Sequence, residues 1–246
     1  MTESVSASVA TPPAKSSFWE DLIDIFYAPA GVFRRWQFRS AWPAMLFVAI
    51  AIGVIMFFTF SALEPLFDAE FTRRIAEAVK RTGVTPPPEQ LAISRNFSNA
   101  IVRYGVGGIM LVTMFILGSI AFLVGKLFGS KQTYGAALVV AGWAYMPRVI
   151  DSVLGGVQGL LMDPSKLTSR LAISLGPARF FDPDATNQLL LQLMGRLDLI
   201  TIWVTVLLAV GLYVTGKVSK SNAVLFGIAM WVLGSIPVLW QAYFAM

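Results

Sequence analysis

The 246-residue sequence contains no cysteine and no histidine. Without cysteine there are no disulfides, no thiolate nucleophiles and no sulfur-ligated zinc or iron–sulfur centres. Without histidine the commonest metal ligand, the usual general base and the usual proton shuttle are missing. Charge is scarce too: 13% of residues are Asp, Glu, Lys or Arg, against roughly 25% in a soluble domain. What fills the chain is apolar, 56% hydrophobic with glycine left out of the count. That balance excludes intrinsic disorder for the chain as a whole and leaves too few polar residues to coat a water-soluble globule. The surplus of 19 Lys and Arg over 14 Asp and Glu reads as cationic loops facing anionic lipid headgroups, with no nucleic-acid partner.

Residues 1–16 are rich in Ser, Thr, Ala and Pro, with Glu3 and Lys15 the only charges. They are expected to form a disordered tail, and no basic region leads into an apolar core as in a signal peptide. Residues 17–41 form the next unit. Ser17 and Glu20 make a capping box. Phe18, Leu22, Ile25, Phe26 and Pro29 recur at helical spacing, which places Glu20, Asp21 and Asp24 on the opposite side. Pro29 is expected to end or bend the helix. Phe33 follows, and then Arg34, Arg35, Trp36, Arg39 and Trp42 read as membrane-interface anchors, rings at headgroup level and guanidinium groups on phosphate. An amphipathic helix packed on the protein's own cytoplasmic surface satisfies the same pattern.

Residues 42–246 hold five apolar runs, at about 42–63, 100–125, 134–162, 197–216 and 223–244. Each can cross a hydrocarbon core of about 30 Å, which takes roughly 20 helical residues. They must be helices, because each has to satisfy its own backbone hydrogen bonds in lipid. With five spans, Lys126 and Lys131, Lys217 and Lys220, and Arg34, Arg35 and Arg39 share one side. The positive-inside rule makes that side cytoplasmic, with the N-terminus inside and the C-terminus outside. In the first outer loop, Phe71, Ile75 and Val79 make a narrow stripe on a charged helix over 68–81. Gly83 and Pro86-Pro87-Pro88 stop that helix, and a second one begins at Glu89 and feeds the second span. In the other outer loop, a short helix is expected over 185–194.

The chemically informative feature lies in the third run. Arg148 is fourteen residues past Tyr134, about 21 Å along a helix. Asp151 lies on the same face, within pairing reach. Each charge costs about 2.5–3.5 kcal/mol at mid-membrane, which calls for a partner or a wet cavity. Pro147 removes a backbone hydrogen bond and kinks the span. Asp198, at the outer end of the fourth run, is placed to join them. Arg148, Asp151, Pro147 and Asp198 are therefore the candidate intramembrane polar site, either a structural lock or a contact for substrate or ion. No catalytic residue, metal site or cofactor is expected.

The order of features resembles the Yip1-domain family, in its prokaryotic branch. The residues that carry this are FWEDLIDIFYAPAGVF, Trp42-Pro43, Tyr145-Met146-Pro147-Arg148, Leu197 to Trp203, Gly211-Leu212 and Gly216 to Lys220. The resemblance implies five spans with a cytoplasmic N-terminus. Eukaryotic members are Golgi and endoplasmic-reticulum proteins that associate with Rab GTPases. The stretch from Asp24 to Pro29 matches their cytoplasmic motif only loosely, which leaves a GTPase partner doubtful. The expectation is an all-α, polytopic protein of the cell inner membrane: five transmembrane helices with an N-terminal amphipathic cytoplasmic helix. Its expected role is non-enzymatic, a membrane-organising protein or scaffold whose partners are the lipid bilayer and other membrane proteins or itself. The alternative is a small transporter, channel or lipid-handling protein working through Arg148 and Asp151.

Overall fold

The structure, a computed structural model, describes residues 17–244, with side chains to 240; the tail expected over 1–16 lies outside the described residues. The described residues form helices and irregular connections without a strand. Five helical stretches are long and apolar enough to cross a membrane: Trp42–Thr82, Pro88–Leu127, Tyr134–Leu161, Leu199–Gly216 and Lys220–Trp240. The chain is thus a multi-pass, all-helical membrane protein.

Helix α1 (Phe18–Tyr27) opens on the expected capping box: the Ser17 hydroxyl accepts from the Glu20 N–H, and Glu20 accepts from the Ser17 N–H. Pro29 both ends α1 and starts α2 (Pro29–Trp36), where its missing N–H costs nothing at the first turn. Helix α3 (Trp42–Thr82) runs on without interruption for 41 residues, about 60 Å and twice the thickness of a hydrocarbon core. The break expected after Leu63 does not occur. Pro65 removes one backbone donor, but Leu66 and Phe67 continue the apolar face and pack with Phe60 and Leu167, the Phe60 and Phe67 rings stacking 5.7 Å apart. Gly83, with φ 68°, ends the helix in the left-handed conformation that glycine tolerates. Helix α4 (Pro88–Ala100) feeds through a π turn, Ile101–Gly105, into α5 (Val106–Leu127).

The third span is interrupted at one residue, just before the proline expected to kink it. Helix α6 (Tyr134–Ala144) stops at Tyr145, and α7 (Met146–Leu161) starts afresh with Pro147 in its first turn. Three short 3₁₀ turns, Pro164–Lys166, Arg170–Ile173 and Pro177–Phe180, precede α8 (Gln188–Arg196), a little later than the helix expected there. Helices α9 (Leu199–Gly216) and α10 (Lys220–Phe244) complete the bundle. The loop after α5 lies beside the α9–α10 turn: the Lys131 N–H donates to the Gly216 carbonyl over 2.9 Å, and Gln132 donates to Thr215 over 2.6 Å. The end of the bundle that carries Lys126, Lys131, Lys217 and Lys220 is called proximal below, and the opposite end distal.

On the distal side, the protruding part of α3 is tied to the connection between α7 and α8. Arg170 pairs with Glu70 at 3.0 Å and Arg73 with Asp184 at 2.8 Å. The hydrogen bond from Arg73 holds the Asp184 carboxyl below the usual carboxylate range. This tether is therefore intact at neutral pH and lost only as pH falls through that lowered pKa.

Glycine lets α3 and α5 touch. A Cβ on Gly107 would lie 2.7 Å from the Ala49 carbonyl oxygen, whereas one on Gly108 would meet nothing within 4 Å. Gly107→Ala should therefore destabilise the protein by about 1–3 kcal/mol, and Gly108→Ala should leave it unchanged. Thermal unfolding in detergent checks this contrast.

Candidate functional site

Two polar clusters sit among the apolar helices. The first holds the α1–α2 hairpin in place. Asp21 is completely buried and accepts hydrogen bonds from the Trp36 indole N–H, at 2.6 Å, and from Arg35, which also pairs with Asp24. Helical spacing from Phe18 and Ile25 in fact puts Asp21 on the buried face of α1, which corrects its assignment to the polar side. Asp24 is held below the ordinary carboxylate range by the Tyr27 hydroxyl and by Arg35.

Trp36 and Arg35 do not point to the lipid surface. The Trp36 ring packs 5.2 Å from Trp143 and 5.9 Å from Phe18, and Arg35 spends its charge on the two aspartates. Trp36 thus lies within the core, and Arg35 is held by carboxylates with part of its side chain exposed. Arg34, Arg39 and Trp42 are exposed, with Arg39 lying 5.2 Å over the outer face of Trp36. The hairpin also reaches beyond the proximal surface. Phe26 meets Trp203, thirteen residues before Gly216, with ring centroids 5.7 Å apart. At 1.5 Å per residue that is about 20 Å above the proximal end of α9. The hairpin is wedged beside α6 and α9, and Ile25, Val32 and Phe33 are fully buried in the main core.

The second cluster is the intramembrane site read from the sequence. Three residues past the interruption at Tyr145, Arg148 lies beside the start of α9. Arg148 donates to Asp151 over 3.1 Å and to the Thr201 hydroxyl over 2.9 Å. Asp198 makes no ion pair with Arg148. It caps α9, accepting from the Ile200 and Thr201 N–H groups, and its second oxygen accepts from the Leu175 N–H over 2.8 Å. Thr201 links the two, bonded to Asp198 through its backbone and to Arg148 through its side chain. Thr201 carried no signal in the sequence, because its role depends on a neighbour 53 positions away. Pro147 is buried in the first turn of α7, directly before Arg148.

Arg148, Asp151, Asp198 and Thr201 form one wall of a cavity of about 420 Å³. Met56 and Leu63 of α3 and Val106 and Met110 of α5 line the other wall. The site therefore has a charged side and an apolar side, and its volume lies within the usual range of ligand pockets. Among the described residues no three acidic side chains come together to hold a metal.

Arg148 and Asp151 are each about 30% exposed toward this cavity, so the pair is only partly desolvated. Arg148→Met should cost about 1–3 kcal/mol, because it strands Asp151. Adding Asp151→Leu should restore part of that loss, because no uncompensated charge remains. Unfolding of the two variants in detergent measures the difference.

No curated protein and no solved structure matched the chain. A family model described as the Yip1 domain matches residues 23–241. That match runs from α1 into α10 and takes in Arg148, Asp151, Asp198 and Thr201, and the chain belongs to the Yip1-domain family.

Proposed function

We propose that this protein is a non-enzymatic membrane organiser of the cell inner membrane, with its proximal end and N-terminus in the cytoplasm. It works by lateral contacts of its helices, with the α1–α2 hairpin as a fixed platform. The observation that carries this reading is the outer face of the hairpin. Trp19, Ile23 and Tyr27 lie one helical turn apart and are all more than 60% exposed, while the inner face is clamped through Asp21. Such a row gains nothing from burial in lipid, and what it offers a second membrane-embedded surface is van der Waals contact with a rigid face. The partner the reading commits to is a second copy of this chain. The complete lack of histidine and cysteine supports a role without catalysis.

The cavity beside Arg148 favours a second reading, that the protein handles an amphiphile. A headgroup would meet Arg148 and Asp151, and a chain would meet α3 and α5. Under this reading every combination of Arg148→Met and Asp151→Leu abolishes lipid transfer between vesicles, whatever its effect on stability.

The main reading is tested by single-molecule photobleaching of the full chain in supported bilayers. Wild-type protein should form pairs or larger groups, and the variant Ile23→Ser, which touches neither the Asp24–Tyr27 bond nor the Trp19–Phe47 ring contact, should associate measurably less while remaining folded; the triple variant Trp19→Ser, Ile23→Ser, Tyr27→Ser should stay monomeric. A wild type that stays monomeric at every protein-to-lipid ratio, or a triple variant that associates equally well, rules the organiser reading out.

A further inference from the structure

The π turn between α4 and α5 carries an arginine at membrane depth, Arg103. Turns of this kind are rare and concentrate at functional positions. Arg103 is 23 residues from Lys126, about 35 Å along the helix, which puts it at the distal edge of a hydrocarbon core about 30 Å thick. Its guanidinium lies over three aromatic rings, 5.2 Å from Phe57 and 5.6 Å from both Phe60 and Tyr104. Among the described residues it forms no ion pair, and its buried Nε has no hydrogen-bond partner. Arg35, Arg73, Arg148 and Arg170, by contrast, each have a carboxylate. A guanidinium half-exposed at the mouth of a groove, stacked on rings and without a carboxylate, retains donors for an anion.

Below Arg103, on the outer face of the bundle, α3 and α5 enclose a groove of about 400 Å³. Ile50, Gly53 and Phe57 line one side, Gly108 and Leu111 the other, and Arg103 stands at the distal end. The close approach at Gly107 makes the floor, where added side chains would collide with Ala49. The α3 wall extends from Leu46 to Phe58, about 18 Å at 1.5 Å per residue, slightly more than one leaflet's share of the core. Leu46, Ile50, Val54 and Phe58 on this wall are all exposed, so the groove opens to the bilayer.

We propose that this groove binds one glycerophospholipid of the distal leaflet, its phosphate on Arg103 and one acyl chain against Gly53 and Gly108. The chemistry fits at both ends. Arginine pairs with phosphate through two parallel N–H donors, and the groove below is apolar and as long as a chain. A free phosphate would use only the arginine. This site lies on the opposite side of the α3–α5 contact from the Arg148 cavity and does not depend on the reading of the α1–α2 platform.

The test is native mass spectrometry of the full chain, purified and stripped of lipid in detergent. Three probes are added separately: phosphatidylglycerol, a diacylglycerol with the same chains, and inorganic phosphate. Wild-type protein should retain one phosphatidylglycerol and neither of the other two. Arg103→Met should lower its retention about tenfold or more, the effect of losing a charge-assisted contact. Gly108→Leu keeps the arginine and fills the groove from a position with nothing within 4 Å, and it should lower retention similarly. If Arg103→Met fails to fold, Gly108→Leu decides. The proposal is overturned by equal retention of the diacylglycerol, by equal retention of inorganic phosphate, by a wild type that holds no phosphatidylglycerol, or by a folded variant that holds as much as wild type.

Discussion

Close packing around α3 is the constraint on which the rest of the structure depends. In lipid there is no hydrophobic force to push helices together, so association rests on van der Waals contact between surfaces smooth enough to meet. Helix α3 meets three partners at glycines. A Cβ on Gly107 of α5 would strike the Ala49 backbone, one on Gly142 of α6 would strike Met45, and one on Gly156 of α7 would strike Thr59. The break at Tyr145 matters for this reason. It lets α6 and α7 follow α3 separately, α6 near its proximal end and α7 higher up. Arg148 follows three residues after this interruption and meets Thr201 there.

Charge inside the bundle is handled by local satisfaction. Asp21 buries its carboxylate completely and meets both an arginine and an indole N–H. Asp198 is buried as well, and three backbone N–H groups neutralise the need for a counter-ion. The pair of Arg148 and Asp151 is the least finished of these, because it borders open space and retains acceptor capacity on the aspartate. A finished network locks helices, whereas an unfinished one beside a cavity is suited to a ligand. The cavity at Arg148 and the groove at Arg103 share this incompleteness, and Asp21 does not.

The five spans were legible because a run of some twenty apolar residues has few alternatives, and the capping box at Ser17 and the stop at Gly83 were legible because they are local. The reading failed where the deciding partner was distant. Glu64, Pro65 and Asp68 look like the end of a span, yet Leu167, about a hundred positions later, packs under Phe60 and Phe67 and carries α3 onward. Arg35 and Trp36 look like interface residues until Asp21 and Trp143 are seen beside them. Asp21 itself could have been found: it lies three residues after Phe18 and four before Ile25, within the apolar arc of α1, and a carboxylate in that arc signals a buried partner. Arg103 sat at the edge of an apolar run and gave no hint of the aromatic rings that α3 folds around it.

The two halves of the bundle differ in a way that bears on the choice between pathway and platform. The distal half holds Arg148, Asp151, Asp198 and the cavity between them. Toward the proximal end the interior closes: Ile25, Val32, Phe33 and Trp143 are fully buried, and Phe18, Trp36 and Trp143 lie ring against ring. An ion or polar solute moving from Arg148 toward the proximal end would meet this ring cluster and the Asp21 carboxylate, whose bonds are already taken by Arg35 and Trp36. Passage would require the α1–α2 wedge to leave its seat, exposing the buried Asp21 carboxylate to hydrocarbon at a cost of several kcal/mol. That cost weighs against a channel. It favours a cavity that accepts a ligand from one side and a hairpin that stays in place, the arrangement a membrane organiser needs in order to present a constant surface to its neighbours.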